Sequence, residues 1–304
     1  MSEQTTEFAF NELIEKTPRK EFIELPQKND KSANQSVFTQ QLYRLKTWSQ
    51  HRSDRTYSLI TFAFLLLIWT VISALKLVPE LFLPSPAAVL RKLIVVADEG
   101  FVDATLLAHA CTSVARVLVA LLLATATAVP VGIFIGLNRY ARATIDPLID
   151  FYRPIPPLAY LPLIVIWFGI GETSKIILIF LAVFAPISIA TVQGVLRVDQ
   201  SRIRATLSLG ANRWQLIRYV IIPSATPDIL TGVRIGLGVG WSTLVAAELI
   251  AATRGLGFMI QSAAQFLVTD VVVMGIIVIA LIAFLFEWGL RRLQKTLVPW
   301  EGKI

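Results

Sequence analysis

Charge is scarce in this chain. Only 16% of its 304 residues are Asp, Glu, Lys or Arg, whereas soluble globular proteins carry about 25%. That shortage excludes a soluble enzyme. With 55% hydrophobic residues it also excludes disorder over most of the length, which needs low hydrophobicity and high charge. Cysteine occurs once, as Cys111, so no disulfide framework exists. Histidine occurs twice, as His51 and His109; both are read as lying outside the apolar runs, and no His/Glu metal cluster or Ser-Lys pair falls within them. An intramembrane enzyme is therefore excluded, with no catalytic residue, metal or cofactor expected in this chain. No G-x-x-x-x-G-K-[ST] phosphate loop is present either, so any ATP-driven work needs a partner.

What the chain has is long uncharged runs. A bilayer core about 30 Å thick takes roughly 20 apolar residues in a helix. Uncharged runs of 20, 22, 18 and 21 residues separate Arg55 from Lys76, Arg116 from Arg139, Arg153 from Glu172, and Lys175 from Arg197. A run of 16 follows Asp270 and its apolar character continues to Leu290. A sixth segment, about 229–252, carries Arg234 and Glu248. The reading is an all-α polytopic membrane protein with six transmembrane helices. The first is not a cleaved signal peptide, being too late and too long.

Lys and Arg set the orientation. With both termini cytoplasmic, 21 of the 28 basic residues fall in cytoplasmic segments; the net charge of +7 then reflects topology and no nucleic acid is implied. Residues 1–56 are polar and of mixed sign, read as a partly disordered cytoplasmic tail in which Leu42, Leu45 and Trp48 suit a short amphipathic helix on the membrane surface. Residues 57–104 hold the first span and an external loop, where Ser85-Pro86 reads as an N-cap with proline at the first helical position, opening a short helix through Val95. Residues 105–292 form the core, and 293–304 a cytoplasmic tail.

The connection from Arg197 to Pro227 is long and charged. Ile203 and Leu207 share a face of one short helix, which Gly210 ends. Asn212, with Gln215 three residues on, caps a second helix that presents Trp214, Ile217 and Ile221 and stops at Pro223. A helix–Gly–helix knob between two spans is either an interfacial hairpin or a docking element.

Arg204-Ala205-Thr206-Leu207-Ser208-Leu209-Gly210-Ala211, followed by Val220-Ile221-Ile222-Pro223, resembles the EAA loop of binding-protein-dependent ABC importer permeases, except that Arg204 stands where the pattern has an acid. Arg153-Pro154-Ile155-Pro156-Pro157, Trp167-Phe168-Gly169-Ile170-Gly171-Glu172, Gly232 to Trp241 and Ala246 to Phe258 resemble the nitrate/sulfonate/taurine branch, and most of all its taurine-transporting members. The resemblance runs from about residue 60 to the end. It implies a type I importer permease in the bacterial inner membrane that forms a homodimer in lipid. It also implies two cytoplasmic ATP-binding subunits, which hold the ATP and Mg, docked on the coupling helices at about 198–222 through Arg204, Ala205, Gly210, Ala211, Trp214 and Pro223. A periplasmic binding protein delivers taurine or a related alkanesulfonate; nitrate or bicarbonate is the alternative within the branch.

Within the membrane, Gly232, Gly236 and Gly240 line one helix face, as do Gly132 and Gly136, which permits close helix packing; the former face, with Trp241, borders either packed helix or the translocation pathway. Pro154, Pro156, Pro157 and Pro162 break the start of the third span, and Pro130 and Pro186 kink the second and fourth. Arg234 is placed to snorkel at the cytoplasmic end. Glu248 pairs with Arg254 or faces the pathway, since an unpaired buried charge is costly. Glu172 and Lys175 are read as solvated, or as binding-protein contacts. An ion-coupled secondary transporter fits less well, as the spans hold few carboxylates and no inverted repeat.

Overall fold

The computed structural model describes residues 54–300. The polar tail, the helix expected through Leu42, Leu45 and Trp48, and the last four residues lie outside the described residues. The chain divides into two compact units, up to Phe64 and from Leu65 onward; among the described residues the first unit holds only the start of α1 (Asp54–Ala74).

The second unit is helical. α2 (Pro86–Asp98) starts as its sequence dictates: Ser85 Oγ accepts the Ala88 N–H, with proline in the first turn. α3 (Leu106–Leu137), α6 (Glu172–Leu196), α9 (Ile222–Ala251) and α11 (Thr269–Leu297) are long. Between them lie α4 (Arg139–Tyr152), α5 (Pro157–Phe168), α7 (Gln200–Ser208), α8 (Arg213–Leu216) and α10 (Leu256–Gln265). Among the described residues five helices are long and apolar enough to span a bilayer, or six if the bent pair α4–α5 makes one crossing. α11 continues to Leu297, past the expected start of a tail at 293.

The third expected span departs from a straight helix. The Pro154–Pro157 segment parts α4 from α5, and the two helices meet at 97°. α5 has 12 residues, about 18 Å of helix, so the crossing is a broken one. The cause is proline, which lacks an N–H and restrains the residue before it. Pro130 and Pro186, by contrast, lie inside continuous helices.

Small residues set the core. On α3, Ala120, Ala124, Ala128, Gly132 and Gly136 recur every fourth position and are all buried. A Cβ at Gly132 would lie 2.6 Å from Thr191 Cβ of α6, and one at Gly136 2.7 Å from Val195 Cβ. From the other side α9 brings Gly232 against Ala190 (2.5 Å from a built Cβ) and Gly236 and Gly240 against Val183 (3.0 Å each). α6 is thus gripped between α3 and α9, and the close approach maximises dispersion contact where lipid leaves no hydrophobic driving force. Ile179, Ile187, Val233, Leu237 and Leu244 fill the layer between them. α2, α10 and the start of α11 pack a second cluster around Val96, Leu256, Met259 and Met274.

Candidate functional site

Two features stand at opposite ends of α6 and α9. One is the hairpin that joins these helices. Asp199 caps α7 by accepting the Ser201 N–H; hydrogen bonds from the Ser201 hydroxyl and amide hold its carboxyl below the usual carboxylate range. Gly210, at φ +83°, turns the chain in the left-handed region that glycine occupies without strain. Asn212 and Gln215 then form a complete capping box, each side chain meeting the other's backbone N–H at 2.8 Å.

The second helix does not stop at Pro223. A π-turn, Ile217–Ile221, carries the chain into α9, where Pro223 sits in the first turn. Proline is tolerated there because a first-turn N–H has no helical partner to lose. Ile221 is buried, while Leu207, Leu209 and Trp214 are exposed, as are Arg202, Arg204, Arg213 and Ala205. Ala211 is half-buried. No atom outside the turn lies within 4 Å of a Cβ built on Gly210. The hairpin therefore presents a basic and apolar knob with a rigid turn at its tip.

At the far end a buried ion network gathers around Arg116. Its side chain is 3% exposed and that of Glu248 is 0%. Arg116 Nε and Nη2 each donate to one oxygen of Glu172 at 2.6 Å, a two-pronged contact. Nη1 donates to Glu248 Oε1 at 2.6 Å and to the Arg254 carbonyl at 2.7 Å. Lys175 Nζ adds a contact to Glu172 at 3.1 Å, so two cations and two carboxylates balance. Glu248 also accepts from the Ser113 hydroxyl at 2.8 Å and the Gly257 N–H at 2.8 Å.

Ser113 accepts the Leu256 N–H at 2.8 Å. His109 Nδ1 accepts the Gly255 N–H at 3.1 Å, so Nε2 carries the ring proton and donates to the Phe101 carbonyl at 2.9 Å. His109, Ser113 and Arg116 lie one or two turns apart on one face of α3, and that face pairs with the backbone of Arg254–Gly257. The geometry explains the glycines: a Cβ at Gly255 would sit 2.4 Å from the Glu248 carboxyl carbon, and one at Gly257 2.8 Å from Glu248 Cβ.

These positions correct several expectations. Glu248 pairs with Arg116, not with the Arg254 side chain, because Arg254 contributes only its carbonyl. Glu172 and Lys175 open α6 and do not lie on a loop; Glu172 is exposed, as expected, whereas Lys175 is buried. His109 lies inside α3, fully buried, not outside the spans. Arg234 reaches across to α11, donating to Glu287 from Nη2 at 2.5 Å and to Gln294 at 3.2 Å. Trp241 is buried against Phe286, with ring centroids 6.0 Å apart. Gly232, Gly236 and Gly240 face α6. Arg116, in the sequence only the boundary of an uncharged run, belongs to a polar i, i+4, i+7 face, His109-Ser113-Arg116, on a mostly apolar helix. Among the described residues no three His, Cys, Asp or Glu gather as a metal site.

Residues 128–298 match the family described as binding-protein-dependent transport system inner membrane component. The chain belongs to this family. It is 59% identical over 250 residues to the taurine transport system permease protein TauC of Escherichia coli (strain K12), covering 82% of this chain and 91% of that one. It is 35% identical over 240 residues to the putative aliphatic sulfonates transport permease protein SsuC of Bacillus subtilis (strain 168), covering 79% and 86%. To the nitrate import permease protein NrtB of Synechocystis it is 30% identical over 249 residues, covering 80% and 90%. Among solved structures, an inward-facing MetNI methionine ABC transporter shares the fold with a TM-score of 0.56 at 18% identity, covering 61% of this chain and 93% of that one. The protein is thus a multi-pass permease subunit of an ABC transport system, and not an enzyme.

Proposed function

We propose that this permease moves taurine or a related alkanesulfonate inward across the bacterial cytoplasmic membrane. It works as a homodimer with both termini in the cytoplasm, a periplasmic binding protein on one side and two ATP-binding subunits on the other. The single observation that carries the substrate is the 59% identity to a taurine permease through 91% of that protein's length. Lys/Arg placement supports the orientation. The apolar face of α1, where Leu65, Leu66 and Leu67 are exposed, suits lipid.

The hairpin is the element on which the ATP-binding subunit docks. Leu207, Leu209 and Trp214 offer apolar anchors of the kind that dominate protein interfaces. The exposed guanidinium groups of Arg202, Arg204 and Arg213 fit an acidic rim. Gly210 and Ala211 let the partner approach the turn, and Pro223 fixes the start of α9 behind it. Hairpin movement then passes directly to α6 and α9. ATP and Mg belong to the partner; no cofactor is assigned to this chain.

Nitrate is the second reading, favoured by the similarity to a nitrate permease. The test is ATP-dependent uptake into vesicles holding this permease, its ATP-binding partner and its binding protein. Labelled taurine should accumulate, and unlabelled taurine or a short alkanesulfonate should compete. Uptake of nitrate without uptake of taurine would overturn the substrate.

A further inference from the structure

We propose that Arg116 and Glu248 form a clasp that holds the ends of α3, α6 and α9 remote from the hairpin as one body with the start of α10, so that hairpin movement reaches the outer mouth undiminished. Both are positioning residues; neither is offered as a substrate contact. The inference rests on the ATP-driven permease reading.

The argument starts from placement. The hairpin joins α6 and α9 at one end, and the network joins the same two helices at the other, about 37 Å along the 25-residue α6. Between the ends, Gly232, Gly236 and Gly240 seat α9 on α6, and Gly132 and Gly136 seat α3 on its other side. At the hairpin end a further ion pair, Arg197 to Asp228 at 2.7 Å, ties α6 to α9 again.

The choice of residues points the same way. Tight packing alone is served as well by apolar side chains, and buried ion pairs are weak stabilisers compared with them. What a guanidinium adds is direction: five N–H groups in one plane. Here they fix the α6 carboxylate, the α9 carboxylate and the loop carbonyl of Arg254 at once. A lysine cannot meet three acceptors in that fork. Glu248 in turn grips the first N–H groups of α10 through Gly257 and Ser113. Four segments meet on two side chains, and none can slide past another without stranding a buried charge.

The test uses the full chain with its ATP-binding partner and binding protein in lipid vesicles, comparing wild type with Glu248→Gln and Glu172→Gln. Glu172 is 58% exposed at the edge of the network, so its variant folds even where Glu248→Gln does not. Taurine taken up per ATP hydrolysed should fall roughly tenfold, the size of one lost charge-assisted contact, while hydrolysis stimulated by the loaded binding protein persists. A parallel fall of both, or an unchanged ratio, overturns the clasp.

A second readout is independent of transport. Spin labels replace Leu107 of α3 and Ile250 of α9, both exposed, with Cys111 changed to serine. Their separation in wild type should not change between nucleotide-free and ATP-bound states, and its distribution should broaden in Glu248→Gln. A shift in wild type, or no broadening in the variant, refutes the proposal. Should wild type show no ATP-dependent uptake, the transport reading fails, and the label distribution in the permease alone still decides whether Glu248 holds this end together.

Discussion

Gly255 and Gly210 both lie at positive φ, and exchanging each for alanine should give opposite phenotypes. Gly255 has φ +131° and ψ 165°, a region that is essentially glycine's alone and costs other residues about 1–3 kcal/mol. Its new Cβ would also lie 2.4 Å from both the carboxyl carbon and Oε1 of Glu248. The carboxylate must then leave Gly257 or Ser113, and a buried group stripped of a partner costs about 1–3 kcal/mol more. The sum is roughly 4 kcal/mol, which for a chain of this size lowers the thermal midpoint by about 10 °C. Gly210, at φ +83° with nothing within 4 Å, incurs only the left-handed cost of about 1–2 kcal/mol, confined to the hairpin. The assay is thermal unfolding of each purified variant in detergent, with co-purification of the ATP-binding subunit alongside. Gly255→Ala should melt early. Gly210→Ala should melt within a few degrees of wild type, and a bulkier residue at 210 should lose the partner. Equal midpoints for the two alanine variants would refute the reasoning, and so would normal assembly and transport with a bulky residue at 210.

Other outcomes follow from the same geometry. Trp214→Ala should weaken binding of the ATP-binding subunit by 2 kcal/mol or so without moving the thermal midpoint, measured by pull-down and unfolding in parallel. Arg204→Glu should abolish the salt sensitivity of that binding or reverse it, read from complex formation across an ionic-strength series. Gly236→Leu should prevent α9 from seating on α6, because a Cβ alone already lies 3.0 Å from Val183; poor membrane yield and early melting are expected. Arg234→Gln should be mild, because Glu287 keeps its second cation, Arg291, at 2.8 Å; a collapse of yield would contradict it.

Much of the fold was legible because its causes are local. Ser85 and Pro86 start α2, and Asn212 with Gln215 cap α8, through contacts three residues apart. Glycines four apart on α9 announced a packing face, and α6 fills it. Proline was read too uniformly, as a residue that breaks, kinks or stops a helix: it parts α4 from α5, but it also rides inside α3, α5 and α6, and opens α9 after a π-turn. Which of these occurs depends on the neighbours that satisfy freed carbonyls. The network was the least legible part. Arg116 and Glu248 are 132 residues apart, and only the packing of α3 and α9 around α6 brings them together. The nearer partner in sequence for Glu248, Arg254, was the wrong one, because its carbonyl and not its guanidinium faces inward.

The most direct test of the central claim is the ATPase activity of this chain with its ATP-binding partner in lipid, with and without a taurine-loaded binding protein. Stimulation by the taurine-loaded form, and not by binding protein offered nitrate, is the predicted result. Hydrolysis indifferent to taurine but raised by another ligand would contradict the substrate, and failure of any ATP-binding subunit to associate would contradict the account as a whole.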